Sequence, residues 1–458
     1  MRRYQRSSSS SKLCLLLPFA ASLMGCANGP EATPGPSGVP SPPSTTIVAP
    51  AGKPSAAGPG ASSPAQAATP PPAPPEAAAF ARASNAFGLE LYGKLRDQTG
   101  NLALSPASLS LALTMAWAGA QGETAAQMQK VLHLEGASEQ VLGSAGKLGA
   151  FLQSPAQPVT VRLANRLFGE KSYAFEPSFL QQTQAAFGAG LEPVDFRAAA
   201  EPARQQINGW VASQTERRIQ GLIPPQGVDQ DTRLVLVNAV YFLGAWAERF
   251  DEKQTAPAPF HLTASGTKEV PFMSRIGKVR VASADGVRLC ELPYQGEGFA
   301  MTIVMPEAVD GLGAVEKSLS ADKLQQWSSA LGEERVWLRL PKFELNPTES
   351  LSLAAPLKSL GMTAAFSRDR ADFTGIAKPA DPADRLYVTK VFHKAFVKVE
   401  EKGTEAAGAS AVVMSRKGSA EAAMPIELRI DRPFLFFIRE RSSGTVLFMG
   451  RVVDPSAP

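Results

Sequence analysis

The sequence predicts an α+β fold, with helices packed against largely antiparallel sheets. Three observations predict it: apolar residues at helical spacing from Phe80, a continuous β-branched run through Asn238, and a strand pair near the C-terminal end. The chain has 458 residues and is 44% hydrophobic, ample for a sizeable core.

Taken in order, Phe80, Ser84, Phe87, Leu91 and Leu95 share one helical face, and Gly100 stops the helix. Leu234-Val235-Leu236-Val237-Asn238-Ala239-Val240-Tyr241-Phe242 is apolar without alternation, as a strand buried on both faces should be. Pro433 to Ile438 and Leu447 to Val452 read as a hairpin closed over Ser442-Ser443-Gly444.

Ahead of these elements, Arg2, Arg3, Arg6 and Lys12 supply the whole excess of a +4 net charge, and no acid precedes Glu31. The folded part is therefore balanced and offers no broad attraction to nucleic acid or anionic lipid. An apolar run from Leu13 to Met24 is too short to cross a bilayer core, which needs about 20 residues. It reads as a signal peptide over 1–25, and Leu23-Met24-Gly25-Cys26 looks like a bacterial lipoprotein cleavage site that leaves Cys26 lipidated. An ordinary secretory leader is the alternative. Residues 26–79 are rich in Pro, Ala, Gly and Ser and predict a disordered tether spanning roughly 40 Å. Cys290 then remains alone, so no internal disulfide forms, and a buried inert thiol is expected.

One stretch is composed to live both as a loop and as a buried strand: Glu400-Glu401-Lys402-Gly403-Thr404-Glu405-Ala406-Ala407-Gly408-Ala409-Ser410. Alternate residues of a strand share a face. Thr404, Ala406, Gly408 and Ser410 would line one face, all small, so the segment could slip between strands already packed over a core.

Around it stand short words in a fixed order. They are Asn101-Leu102-Ala103-Leu104-Ser105-Pro106-Ala107-Ser108, Ala164-Asn165-Arg166-Leu167-Phe168, Ile207-Asn208-Gly209-Trp210 and Leu222-Ile223-Pro224. Trp246 beyond Gly244, Glu291-Leu292-Pro293-Tyr294, Pro341-Lys342-Phe343 and Arg432-Pro433-Phe434 complete the series. With the small-residue hinge, these resemble the serpins over about Phe80 to Pro455, which places a serpin domain at 80–458.

The resemblance implies a large, mostly antiparallel central sheet, two smaller sheets, eight or nine helices and an exposed reactive-centre loop. It places Ser105, Ser108, Asn238 and His393 in a polar cluster where the sheet must part. Trp246, Lys342 and Glu401 fall in a second cluster, where a Lys342 to Glu401 pair would hold the sheet shut until the loop arrives. It further implies suicide inhibition of a serine protease. The protease forms an acyl-enzyme with the loop; the cleaved loop, with hinge Glu401, Gly403, Thr404, Glu405, Ala406, Ala407, Gly408 and Ala409, inserts as a strand. About ten new hydrogen bonds would release on the order of 10 kcal/mol and distort the trapped protease. Counting from Glu401 by the usual loop length puts the cut at Lys417-Gly418, with Arg416 beside it, which suits a trypsin-like pocket. Counting back from Pro433 moves it to Ala422-Ala423.

Two other functional classes fit the sequence less well. A non-inhibitory binding module on the cell envelope would carry bulky, charged or proline residues in the hinge, whereas the face of Thr404, Ala406, Gly408 and Ser410 is small throughout. An enzyme would have to use Ser144-Ala145-Gly146-Lys147 with His133, His261 or His393, a poor match to a lactamase set, and no metal-ligand spacing appears. The resulting expectation is a monomeric, cofactor-free inhibitor whose partner is a serine protease, lipid-anchored to the bacterial cell envelope or secreted.

Overall fold

The stripe at Phe80, Phe87, Leu91 and Leu95 is buried in a helix that starts at Pro75, ahead of the predicted domain start at residue 80. Proline at the first helical position already has the required φ and lacks only an N–H that would go unpaired. Ala77 is buried with Phe80, so the helix reaches back into the predicted tether. The computed structural model describes residues 72–188, 190–381, 384–405 and 424–458, all within one unit spanning Pro64–Pro458.

Described elements in chain order begin with α1 (Pro75–Leu95), β1 (Leu102–Leu104), α2 (Pro106–Trp117), α3 (Gly122–Val131), α4 (Ser138–Leu152), β2 (Thr160–Glu170), α5 (Pro177–Phe187), β3 (Leu191–Val194), α6 (Phe196–Gln214) and β4 (Leu234–Ala245). Then come β5 (Ala256–Thr263), β6 (Gly266–Ala284), β7 (Val287–Pro293), β8 (Phe299–Pro306), α7 (Leu312–Ser318), α8 (Ala321–Ala330), β9 (Gly332–Pro341), β10 (Phe343–Leu345), β11 (Leu351–Ser352) and α9 (Ala354–Ser359). The last are β12 (Lys390–Ala395), β13 (Val397–Glu400), β14 (Gly403–Thr404), β15 (Ile426–Arg429), β16 (Phe434–Glu440) and β17 (Val446–Val452).

The strands form an eight-stranded and a nine-stranded sheet. Where two smaller sheets are expected, hydrogen bonding along the 19 residues of β6 joins them into the nine-stranded one, β6 pairing with β5, β7 and β9. The large sheet is built on β4, which is buried from Leu234 through Phe242 as its composition predicts. Val235, Val237 and Ala239 face Ile207 and Val211 of α6, whereas Leu236, Val240 and Phe242 face the main core. The C-terminal hairpin forms as β16 and β17, and the Glu440 carboxylate accepts from the Ser442 and Ser443 amides to close its turn.

The register around β4 positions the site. On one side β2 runs antiparallel along nearly its whole length. On the other, β12 pairs in parallel from Lys390↔Val235 to Ala395↔Val240, and there direct pairing with the strand ends. Above that point the chain continues as β13, turns at Glu401-Lys402, and returns as β14 between β13 and β4. The large sheet is forked, with two hinge residues seated in the mouth of the fork.

Among the described residues, no helix is long and apolar enough to cross a membrane.

Candidate functional site

At the base of the fork lies a buried polar cluster carried by α2, β2, β4 and β12. Ser105 caps α2 by accepting from the Ser108 amide at 3.2 Å. Its own amide donates to His393 Nε2 at 3.1 Å, so Nε2 is an acceptor and Nδ1 carries the proton donated to Asn238 Oδ1. Asn238 Nδ2 donates to Ser108 Oγ at 2.7 Å and to Asn165 Oδ1 at 2.6 Å. Ser105, Ser108, Asn238 and His393, singled out by sequence, are thus brought together. Asn165 lies directly opposite Asn238 in the register of β2 and β4, and the sequence carries no signal that sets it apart from the other polar residues of β2.

Burial holds the His393 imidazole down at about 3, so it is neutral in the folded chain. In the unfolded chain it titrates near 6.5. The unfolded state therefore binds one more proton between those values, and stability is present above pH 6.5 and falls on acidification by about 1.4 kcal/mol per pH unit.

The second cluster sits at the top. Glu401 receives Lys342 Nζ at 2.8 and 3.1 Å and Thr255 Oγ1 at 2.7 Å. Burial would raise its carboxyl, but the Lys342 and Thr255 hydrogen bonds outweigh that and hold it below the usual range. Trp246 Nε1 donates to the Glu400 carbonyl at 2.9 Å and its amide to that of Lys402 at 3.0 Å, fixing the turn between β13 and β14. The indole stacks on Tyr294 with ring centroids 4.6 Å apart.

The pair does not shut the mouth against the hinge. The first hinge residues lie inside it, with Gly403 opposite Ala245 and Glu400, and Thr404 opposite Gly244 and Val399. Glycine is required at Gly403: φ is +154°, and a Cβ there would stand 2.1 Å from the Gly244 carbonyl oxygen. Thr404 faces the core, its Oγ1 2.6 Å from the Tyr294 hydroxyl. Thr255 and Tyr294 join the site only through the fold, since no sequence spacing links them to the hinge.

Glu405, which follows the last paired hinge residue, has φ +45°, a left-handed conformation costing a non-glycine residue roughly 1 kcal/mol or more. Its amide donates to the Lys398 carbonyl at 3.0 Å and its carboxylate pairs with Arg218, which follows α6. Ala406, Ala407, Gly408, Ala409, Arg416, Lys417, Gly418, Ala422, Ala423 and Cys26 lie outside the described residues.

The family description Serpin (serine protease inhibitor) matches residues 82–455. The chain belongs to the serpin family. The match extends to leukocyte elastase inhibitor A of Rattus norvegicus, 40% identical over 386 residues, covering 81% of this chain and 98% of that one. Serpin48 of the insect Tenebrio molitor superposes with a TM-score of 0.72 at 30% identity, over 82% of this chain and 98% of that one. Human thyroxine-binding globulin, in complex with its hormone, gives 0.75 at 26% identity over 83% and 100%.

As a serpin the chain is a protease inhibitor by family and not an enzyme. The Ser144 and Lys147 letters form no catalytic pair: Ser144 Oγ donates to the Gln140 carbonyl, and Lys147 pairs with Glu76 at 2.7 Å. His133 lies 3.2 Å from Glu90, and the groups of ligating residues that hold metal ions do not occur among the described residues. Cys290 is buried, and burial pushes its thiol up to about 12, beyond the reactive range.

The His393 assignment has a direct check. In chemical denaturation from pH 6.5 to pH 5, His393→Gln should lose about one proton's worth of the pH slope. An identical slope in both chains would mean His393 is not buried neutral.

Proposed function

We propose that this serpin is a suicide inhibitor of serine proteases. The observation that carries the reading is the seating of Gly403 and Thr404 between β4 and β13. Insertion of a cleaved loop requires β12 and β13 to part from β4 along their length, and here the upper half is already parted. New strand would extend from a register that exists, so the slow first pairing is complete before cleavage. Speed matters, because the acyl-enzyme is trapped only if insertion outruns its hydrolysis.

We assign the cut to Lys417-Gly418, with Arg416 beside it, and hence to a trypsin-like target. A second reading is favoured by the relative named for leukocyte elastase. Cleavage at Ala422-Ala423 would present a small side chain to a narrower pocket. The lower cluster of Ser105, Ser108, Asn165, Asn238 and His393 would be the point at which the sheet gives way. Lys342, Glu401 and Trp246 would anchor the turn from which the loop swings.

We also propose that residues 1–25 are a signal peptide, that Cys26 is lipidated, and that the segment from Cys26 to the start of α1 at Pro75 tethers the domain to a bacterial cell envelope. What supports this is the basic start, the short apolar run and the small residue before Cys26.

The trapping reading is tested by mixing the full chain with trypsin and with an elastase, running denaturing gels and weighing the released peptide. A denaturant-resistant adduct is expected, with a peptide starting at Gly418 for trypsin-like action or Ala423 for the small-pocket alternative. Thr404→Arg should convert the inhibitor into a substrate, because its position is buried against Tyr294 and cannot take a cation. Cleavage by both proteases with no adduct from the unaltered chain would sink the reading and favour a binding module.

The anchor has its own test. Cys26→Ala should move the chain from the membrane to the soluble fraction of cells that make it, whereas unchanged membrane association would rule out lipidation.

A further inference from the structure

We propose that Arg218 is a positioning residue for loop insertion: it holds Glu405 at the fork of the large sheet and so keeps Gly403 and Thr404 seated. The inference rests on the insertion reading above and names what sets the resting position of the hinge.

Strand pairing ends at Thr404, and Glu405 follows it. Its left-handed backbone must become extended before any later residue can follow Thr404 into the fork, so whatever fixes Glu405 fixes the hinge. The residue is 6% exposed, and its carboxylate meets the Arg218 guanidinium.

Arg218 is itself held. It lies in a tight turn after α6 with Glu216 and Arg217 both at positive φ. Thr215, fully buried, donates through Oγ1 to the Val211 carbonyl and accepts from the Ile219 amide. The guanidinium also lies over the Phe396 ring, 5.8 Å from its centroid, where β12 passes into β13. Arg218 thereby ties the segment after α6 both to the β12–β13 edge of the fork and to the residue that follows the seated hinge.

The charged and titratable groups facing Glu405 come from every neighbouring element: Arg218 and Glu216 after α6, Lys398 of β13, Glu344 of β10 and Tyr241 of β4, with Arg162 of β2 close to Tyr241. Lys398 is also paired with Glu400 at 3.0 Å. Burial raises the Glu405 carboxyl to about 7, against the pull of Arg218 and Lys398 and with the push of Glu216 and Glu344. Released into water it would titrate near the ordinary 4.5.

The seated hinge therefore binds more protons than the expelled hinge between those values. Seating gains as pH falls from about 7 toward 4.5 and is weakest above 7, where the carboxylate is charged and Arg218, with Lys398 behind it, offsets its burial. Arg218 should matter at pH 8 and hardly at all at pH 5.5.

Hydrogen exchange of the Gly403, Thr404 and Glu405 amides in the full chain, corrected for intrinsic rates, reads this directly. At pH 8, Arg218→Gln should lower their protection roughly tenfold or more relative to the unaltered chain, and at pH 5.5 the two should agree. Glu405→Gln should stay protected at both pH values. Equal protection of Arg218→Gln and the unaltered chain at pH 8, or an unchanged pH dependence in Glu405→Gln, would overturn the inference. Because exchange needs no protease, the expected pattern without any trapped adduct would leave the seat standing and remove the inhibitor reading instead.

Discussion

The fork in the large sheet is the constraint on which the remainder depends. Backbone N–H and C=O groups of a buried strand need partners. β4 finds them all along β2, but on its other side they come from two sources, β12 below and the two residues of β14 above. A two-residue strand is a minimal filler. A longer strand entering by the same register would add roughly 0.5 to 1.5 kcal/mol for each backbone bond it made, so the resting sheet is only locally settled.

Two polar clusters bracket the fork, and their chemistry differs. The lower one is neutral, with each of its groups satisfied through short bonds among Ser105, Ser108, Asn165, Asn238 and His393. Such a network holds β12 to β4 through direction rather than charge, and it can part without stranding an ion in the core. The upper one is ionic, with Glu401 held by Lys342 and Thr255, and it anchors the turn that the hinge leaves from. Bonds to a charged group contribute more, about 1.5 to 3 kcal/mol. The stronger fastening thus lies at the pivot and the weaker one along the seam.

Much of this was legible in the sequence, for physical reasons. β4 was readable because burial on both faces leaves no polar alternation, and α1 because its apolar residues keep helical spacing. The smallness of the hinge is a matter of composition, and it pointed to insertion because only small side chains would fit a strand entering a packed sheet. Position within the fork was not readable. That Gly403 and Thr404 already sit inside depends on close approach to Gly244, a tertiary contact without local signature. Arg218 lies far from Glu405 in sequence, and its aim is set by two left-handed residues that composition does not mark. The two smaller sheets merged because β6 is long enough to serve both, and element lengths are poorly marked where apolar and polar residues mix.

The central claim is that loop cleavage converts a forked sheet into a fully paired one. The most direct measurement is thermal unfolding before and after cutting the loop between residues 410 and 423 with a metalloprotease, which forms no acyl-enzyme and so leaves only the cleaved chain. Insertion worth on the order of 10 kcal/mol should raise the melting temperature by at least about 10 °C. A cleaved chain that melts at or below the temperature of the intact one would contradict the account.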